Sequence, residues 1–228
     1  MNPKRIVPNS ISGLSLVFGV LSIFLTFEHD FMWAAIYIIL AVLADSCDGR
    51  AARLLGVSGE FGKELDSLCD VCSFGMAPAV LIYIYALEPL GLLGKIIASM
   101  LAFGGAMRLA RFNINASEVH GYFQGMPIPA GACVIATYVL SGYNFGPWWV
   151  SLLTLGVAII LYSEVRFPDF KGKGNPLFKL PVIISLAIGL YMLYTNVKAW
   201  PFILMFTYTI CGIINCLYVK LTHKTYEH

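Results

Sequence analysis

The sequence predicts an all-α, polytopic transmembrane bundle of about eight spans with both termini cytoplasmic. An apolar composition, eight hydrophobic segments of spanning length and a one-sided distribution of lysine and arginine carry that expectation. Of the 228 residues, 58% are hydrophobic and 12% charged, with a mean hydropathy of +0.77; a typical soluble domain is about 25% charged. A soluble fold of this length has too little interior to hide so much apolar surface. The net charge of +2 is small, and no basic run resembles a polyanion-binding arm.

A membrane helix needs about 20 mostly apolar residues, with about 17 as a floor. Segments 11–27, 32–54, 66–87, 91–113, 127–143, 147–163, 178–195 and 199–220 meet that length. The first follows a charged start, Met1 to Arg5, but has no small-residue cleavage signal behind it, so it is expected to stay as a span. Pro127 and Pro129 mark an irregular entry to the fifth, and 142–147 is a tight turn into the sixth. Gly104, Gly105, Gly121 and Gly125 are expected to allow close helix packing. Cys47, Cys69, Cys72, Cys133, Cys211 and Cys216 all fall in apolar segments and read as buried thiols. Cys69 and Cys72 form a C-x-x-C without the second pair that a zinc site needs. No linker or repeat divides the chain, which reads as a single integral-membrane domain, 1–228, with its core motif at 45–70.

Eight spans place Lys4, Arg5, Arg50, Arg53, Lys63, Arg108, Arg111, Arg166, Lys171, Lys173, Lys179, Lys220 and Lys224 on one side, and only Lys95 and Lys198 on the other. Cytoplasmic loops carry the basic excess, so the richer side is expected to be cytoplasmic, at the cell (inner) membrane. The polar connections lie on that side too.

The stretch from Asp45 to Asp70 holds four carboxylates in an otherwise apolar chain. Ionisable groups at membrane depth are expensive and mark function. Asp45 and Asp48 are three apart at the inner end of the second span; Asp66 and Asp70 are four apart at the start of the third. Each pair therefore shares a helix face. If the two ends adjoin, four negative charges meet, and two divalent cations supply the matching charge. Oxygen-only ligands suit Mg²⁺ or Mn²⁺, with Ca²⁺ as an alternative occupant. Paired ions of this kind serve phosphoryl transfer. Gly49 and the series Gly56, Gly59 and Gly62 in the connecting loop permit close backbone approach to a ligand, and Arg53 stands near the same mouth to hold a pyrophosphate.

Asp45, Asp48, Gly49, Ala52, Arg53, Gly62, Asp66 and Asp70 fill every position of D-x2-D-G-x2-A-R-x8-G-x3-D-x3-D. This pattern resembles the signature of the CDP-alcohol phosphotransferases. The run from Leu65 to Ala79, together with Arg108-Leu-Ala-Arg-Phe-Asn113 and Gly125-Met-Pro-Ile-Pro-Ala130, resembles the serine-using branch of that family. The likeness covers roughly residues 5–140; beyond them only a hydrophobic multi-span pattern agrees. It implies transfer of a phosphatidyl group from CDP-diacylglycerol to L-serine, releasing CMP. By the same resemblance Asp45, Asp48, Asp66 and Asp70 hold the metals, and Asp70 also takes the proton of the serine hydroxyl. Asp45, Gly49, Arg53, Gly62 and Asp66 would bind CDP-diacylglycerol. A homodimer stays open.

Arg108 and Arg111 share a helix face in the fourth span, and a guanidinium fork fits a carboxylate or a lipid phosphate. Arg111, then Arg108, and Asn113 are the serine-binding candidates; the competing reading is that both arginines only snorkel. Ser67 and Ser73 are expected to bond carbonyls of their own helix. His120, His223 and His228 carry no ligand signal. Glycerol 3-phosphate or an inositol phosphate as acceptor would want more basic residues around the site. A divalent-cation transporter is the alternative from another class, opposed by carboxylates at one face rather than the midplane. A passive scaffold would leave the four carboxylates uncompensated.

Overall fold

In the computed structural model, residues 6–57, 59–115, 122–168 and 177–222 are described. Lys4, Arg5, His120, Gly121, Lys171, Lys173, His223, Lys224, His228 and the Arg53 side chain lie outside the described residues. Helices dominate: α1 (Ile6–Phe27), α2 (Phe31–Leu55), α3 (Glu60–Leu90), α4 (Leu92–Asn115), α5 (Ile128–Leu140), α6 (Gly146–Tyr162), α7 (Lys179–Thr195) and α8 (Trp200–Thr222). Each falls on one predicted segment. Five of them, α1 to α4 and α8, are long and apolar enough to cross a membrane, and α5, α6 and α7 are shorter apolar helices.

The boundaries differ from the sequence reading for physical reasons. α1 is already helical at Ile6, the first described residue, ahead of the predicted start at residue 11. α3 begins at Glu60, six residues before the predicted span, because Glu60–Asp70 is amphipathic and a hydropathy window rejects it. Gly62 therefore belongs to the first turn of α3 rather than to the loop. α5 has 13 residues, since Pro127 and Pro129 set its start and Gly142, at φ +70, ends the turn beyond it. It is sheathed by the other helices, with Val134, Ile135 and Ala136 fully buried.

α3 is not a uniform helix. After Asp70 it widens into a π-helical stretch, Val71–Met76, and again at Tyr83–Leu87 before a 3₁₀ turn, Glu88–Leu90. Pro78 and Pro89 explain both: neither can donate the i→i−4 bond, so the preceding turn opens.

α1 turns a face of small and polar residues inward: Ser12, Ser15, Gly19, Ser22 and Thr26. It packs on α2 and on the widened part of α3. Ser15 Oγ donates to the Ala41 carbonyl at 3.2 Å, and Ser73 Oγ donates to the Ser15 carbonyl at 3.0 Å. Ser73 thus bonds across helices rather than within its own. Lipid-type bundles favour such small-residue contacts because backbones approach closely. Deeper in the bundle, Phe74, Leu81, Leu101, Ile135, Tyr138 and Phe202 form the apolar core.

Two three-residue strands, β1 (Tyr122–Gln124) and β2 (Arg166–Pro168), pair antiparallel with Phe123 opposite Phe167. Both are too short, and Pro168 too unlike a strand residue, to be read from an otherwise all-α sequence. Among the described residues all six cysteines are free thiols, but only Cys69 is buried as expected; Cys72, Cys133, Cys211 and Cys216 are half-buried and Cys47 is exposed on α2.

Candidate active site

The carboxylates converge where α2 and α3 meet. Asp45 and Asp48 lie one turn apart on α2 and Asp66 lies on α3; each offers an oxygen within 4.8 Å of the others. Asp45 also lies within hydrogen-bonding reach of Asp66 and Asp70. Asp48 and Asp70 are only 6% and 7% exposed. Oδ1 of Asp70 is buried without a hydrogen-bond partner. An orphaned carboxylate oxygen beside three converging carboxylates is costly unless a cation completes it. The donor set consists of hard oxygens alone and fits Mg²⁺, Mn²⁺ or Ca²⁺ better than zinc.

Ser12 supports this cluster from α1. Its hydroxyl donates to Oδ2 of Asp48 at 2.6 Å, a short charge-assisted bond, with the Pro8 carbonyl as a second acceptor at 3.2 Å. The motif contains no signal for Ser12. A signal did exist in the spacing of Asn9, Ser12 and Ser15, a polar stripe on an otherwise lipophilic helix. A cleft of about 220 Å³ opens beside the carboxylates, lined in part by Asn9, Ser12, Asp48, Gly49, Gly62, Lys63 and Asp66. Gly49 and Gly62 therefore lie where the sequence expects a ligand.

The two arginines of α4 differ. Arg108 is 7% exposed and its Nε is buried without a hydrogen-bond partner. It couples electrostatically to Asp70 and Asp45, and its guanidinium lies 5.1 Å from the Phe112 ring centre. Arg111 spends its N–H groups on backbone carbonyls: Tyr162 at 2.7 Å, Ser163 at 2.8 Å and Gln124 at 3.2 Å. Asn113 donates through Nδ2 to Ser67 Oγ at 2.9 Å, and its carbonyl accepts from Lys63 Nζ at 3.2 Å. Ser67, like Ser73, is engaged across helices.

The family model for CDP-alcohol phosphatidyltransferases matches residues 5–162. The chain belongs to this family. The match runs past residue 140, where the motif likeness ends, through the end of α6. Relatives extend the similarity further. A CDP-diacylglycerol–serine O-phosphatidyltransferase of Helicobacter pylori strain J99 is 34% identical over 226 residues, covering 90% of this chain and 95% of the relative. The protein of that name from Bacillus subtilis strain 168 is 34% identical over 166 residues, 72% of this chain and 91% of its own. An archaetidylserine synthase of Methanothermobacter thermautotrophicus is 35% identical over 182 residues, 76% of each. CDP-alcohol phosphatidyltransferases use divalent cations, and the aspartate cluster of this member is a site able to hold them. Its long apolar helices make this member of the family a multi-pass membrane protein.

Proposed function

We propose that this chain transfers a phosphatidyl group from CDP-diacylglycerol to the hydroxyl of L-serine, giving phosphatidylserine and CMP. The observation that carries the reading is the aspartate cluster on α2 and α3 with its orphaned Asp70 oxygen. The acceptor rests on the relatives: those named for diacyl and for archaetidyl lipids share serine in their names.

Asp45, Asp48, Asp66 and Asp70 would hold two divalent cations, Mg²⁺ or Mn²⁺, with Ca²⁺ as a further occupant. Bound there, the cations supply positive charge against the pyrophosphate and the departing CMP. The nucleotide end of the lipid enters the cleft beside Gly49 and Gly62, with Arg53 as its phosphate partner, and the acyl chains pass between helices into lipid. Serine enters from the α4 side, its carboxylate meeting Arg108 and Asn113 lying nearby.

Asp70 accepts the proton as the serine oxygen bonds to the phosphatidyl phosphorus and the bond from that phosphorus to CMP breaks. A hydroxyl is a weak nucleophile, and a carboxylate that gives one oxygen to a cation keeps the other as a base. Basic residues gathered at the aspartate end support a site on the cytoplasmic face of the cell membrane, with cytoplasmic termini. Lipid and water-soluble serine meet at that interface. Purified protein supplied with CDP-diacylglycerol, L-serine and Mn²⁺ or Mg²⁺ should release CMP. Release that is equal with glycerol 3-phosphate and absent with serine would refute the acceptor.

A further inference from the structure

We infer that Arg111 is a positioning residue, locking the inner end of α4 onto the end of α6 and onto the strand pair so that Arg108 is held toward the site. This rests on the reading of Arg108 as the group that meets the serine carboxylate.

α6 ends at Tyr162, and the last carbonyls of a helix have no partner within it. Arg111 supplies them: Nη1 donates to the Tyr162 carbonyl and Nη2 to that of Ser163. Nη2 also donates to the Gln124 carbonyl at the end of β1. The guanidinium carbon lies over the Tyr162 ring, 4.7 Å from its centre, so the cation meets the ring face as well as the carbonyls. A cation at a helix C-terminus is favoured by the helix dipole. The planar fork matters, because an ammonium cannot stack on the ring and reach three carbonyls in this arrangement.

The chain beside the clamp is closed tightly. Gly125 N–H donates to the Val165 carbonyl at 2.9 Å and Met126 N–H to that of Ile160 at 3.3 Å. Gly125 has φ +76, and a Cβ there would collide with the Leu161 carbonyl and lie 3.0 Å from Nη2 of Arg111. On its other flank α4 is tied to α3 through Asn113, Ser67 and Lys63. Arg108 stands one turn before Arg111, on the N-terminal side of both attachments. An arginine that caps three carbonyls cannot turn to a carboxylate without leaving them unpaired.

Steady-state kinetics with serine varied, combined with hydrogen-exchange mass spectrometry on the full chain, tests the proposal. Arg111→Lys should raise KM for serine about 10- to 100-fold, the scale of a group displaced by about 1 Å. kcat should stay within about threefold, as for loss of substrate binding through a misplaced Arg108. Exchange should quicken in 122–126 and 160–168. Gly125→Ala opens the same clamp without touching a charge and should give the same pattern. Arg108→Lys should also raise KM for serine, but with exchange in those segments unchanged. If Arg111→Lys raises KM for serine tenfold or more and leaves exchange unaltered, or changes neither KM nor exchange, the proposal is overturned. Should that variant fail to fold, Tyr162→Leu, which removes only the stacking ring, must show the faster exchange or the proposal fails. A wild-type protein that releases no CMP with serine refutes the proposed acceptor, while the exchange comparison still judges the clamp.

Discussion

Ser12 of α1 donates a 2.6 Å hydrogen bond to Oδ2 of Asp48 on α2, fixing one carboxylate of the aspartate cluster from a helix that contributes no carboxylate of its own. The bond leaves the other Asp48 oxygen to the cluster. Removing a hydrogen-bond partner behind a metal-binding carboxylate lowers affinity about 10- to 100-fold. Ser12→Ala should therefore need about that much more Mn²⁺ to reach half-maximal CMP release. The Mn²⁺-dependent rise in melting temperature should move to higher metal by the same factor. Unchanged titrations in both assays would show the bond to be structural only.

Asp70 is the carboxylate expected to serve as base, taking the proton on the oxygen it does not give to a cation. Asp70→Asn preserves shape and removes both charge and basicity. General-base loss costs about 10²- to 10⁴-fold, so CMP release should fall by that range while the protein still purifies and folds. EDTA should abolish wild-type release, and added Mg²⁺ or Mn²⁺ should restore it. Activity that survives both treatments would refute the proposed chemistry.

The convergence of the aspartates was legible because helical spacing of three and four dictates a shared face, and a tight loop leaves the ends of α2 and α3 little choice but to adjoin. The eight helices were legible from hydropathy. The start of α3 was not, since Glu60, Lys63 and Glu64 lower hydropathy while keeping helical amphipathicity. The roles of Arg108 and Arg111 could not be separated from their spacing: both lie on α4, but one is buried and interacts with Asp70 and Asp45, and the other bonds to the end of α6, a helix some 50 residues later in the chain. Ser12 and Asn113 act through partners 36 and 46 residues away, which local periodicity does not reveal. The strand pair has the same origin, because its register is set by the fold around it and not by three-residue sequences.

Gly104 lets α4 lie against α6: a Cβ there would stand 2.6 Å from the Ala158 carbonyl oxygen, whereas one on Gly156 would meet nothing within 4 Å. Forcing atoms into a packed contact costs about 1–3 kcal/mol. Relieving an unneeded helical glycine gains about 0.5–1 kcal/mol. Gly104→Leu should thus lower the melting temperature in detergent, and Gly156→Ala should leave it equal or higher. Equal destabilisation by both would mean that the α4–α6 approach is not as tight as described.

Orientation follows from charge and can be read by labelling. Lys63, Arg108, Arg111, Lys179 and Lys220 belong to the end of the bundle that carries the aspartates, and Lys95 and Lys198 to the other. With the six native cysteines replaced, including exposed Cys47, a single cysteine at Asn144 or Glu60 reports one end each; both positions are exposed. A membrane-impermeant maleimide should label Asn144→Cys on intact cells and Glu60→Cys only after permeabilisation. The opposite result would put the aspartates outside, away from a cytosolic supply of serine. The transfer chemistry could stand, but the positive-inside argument for the cytoplasmic face would not.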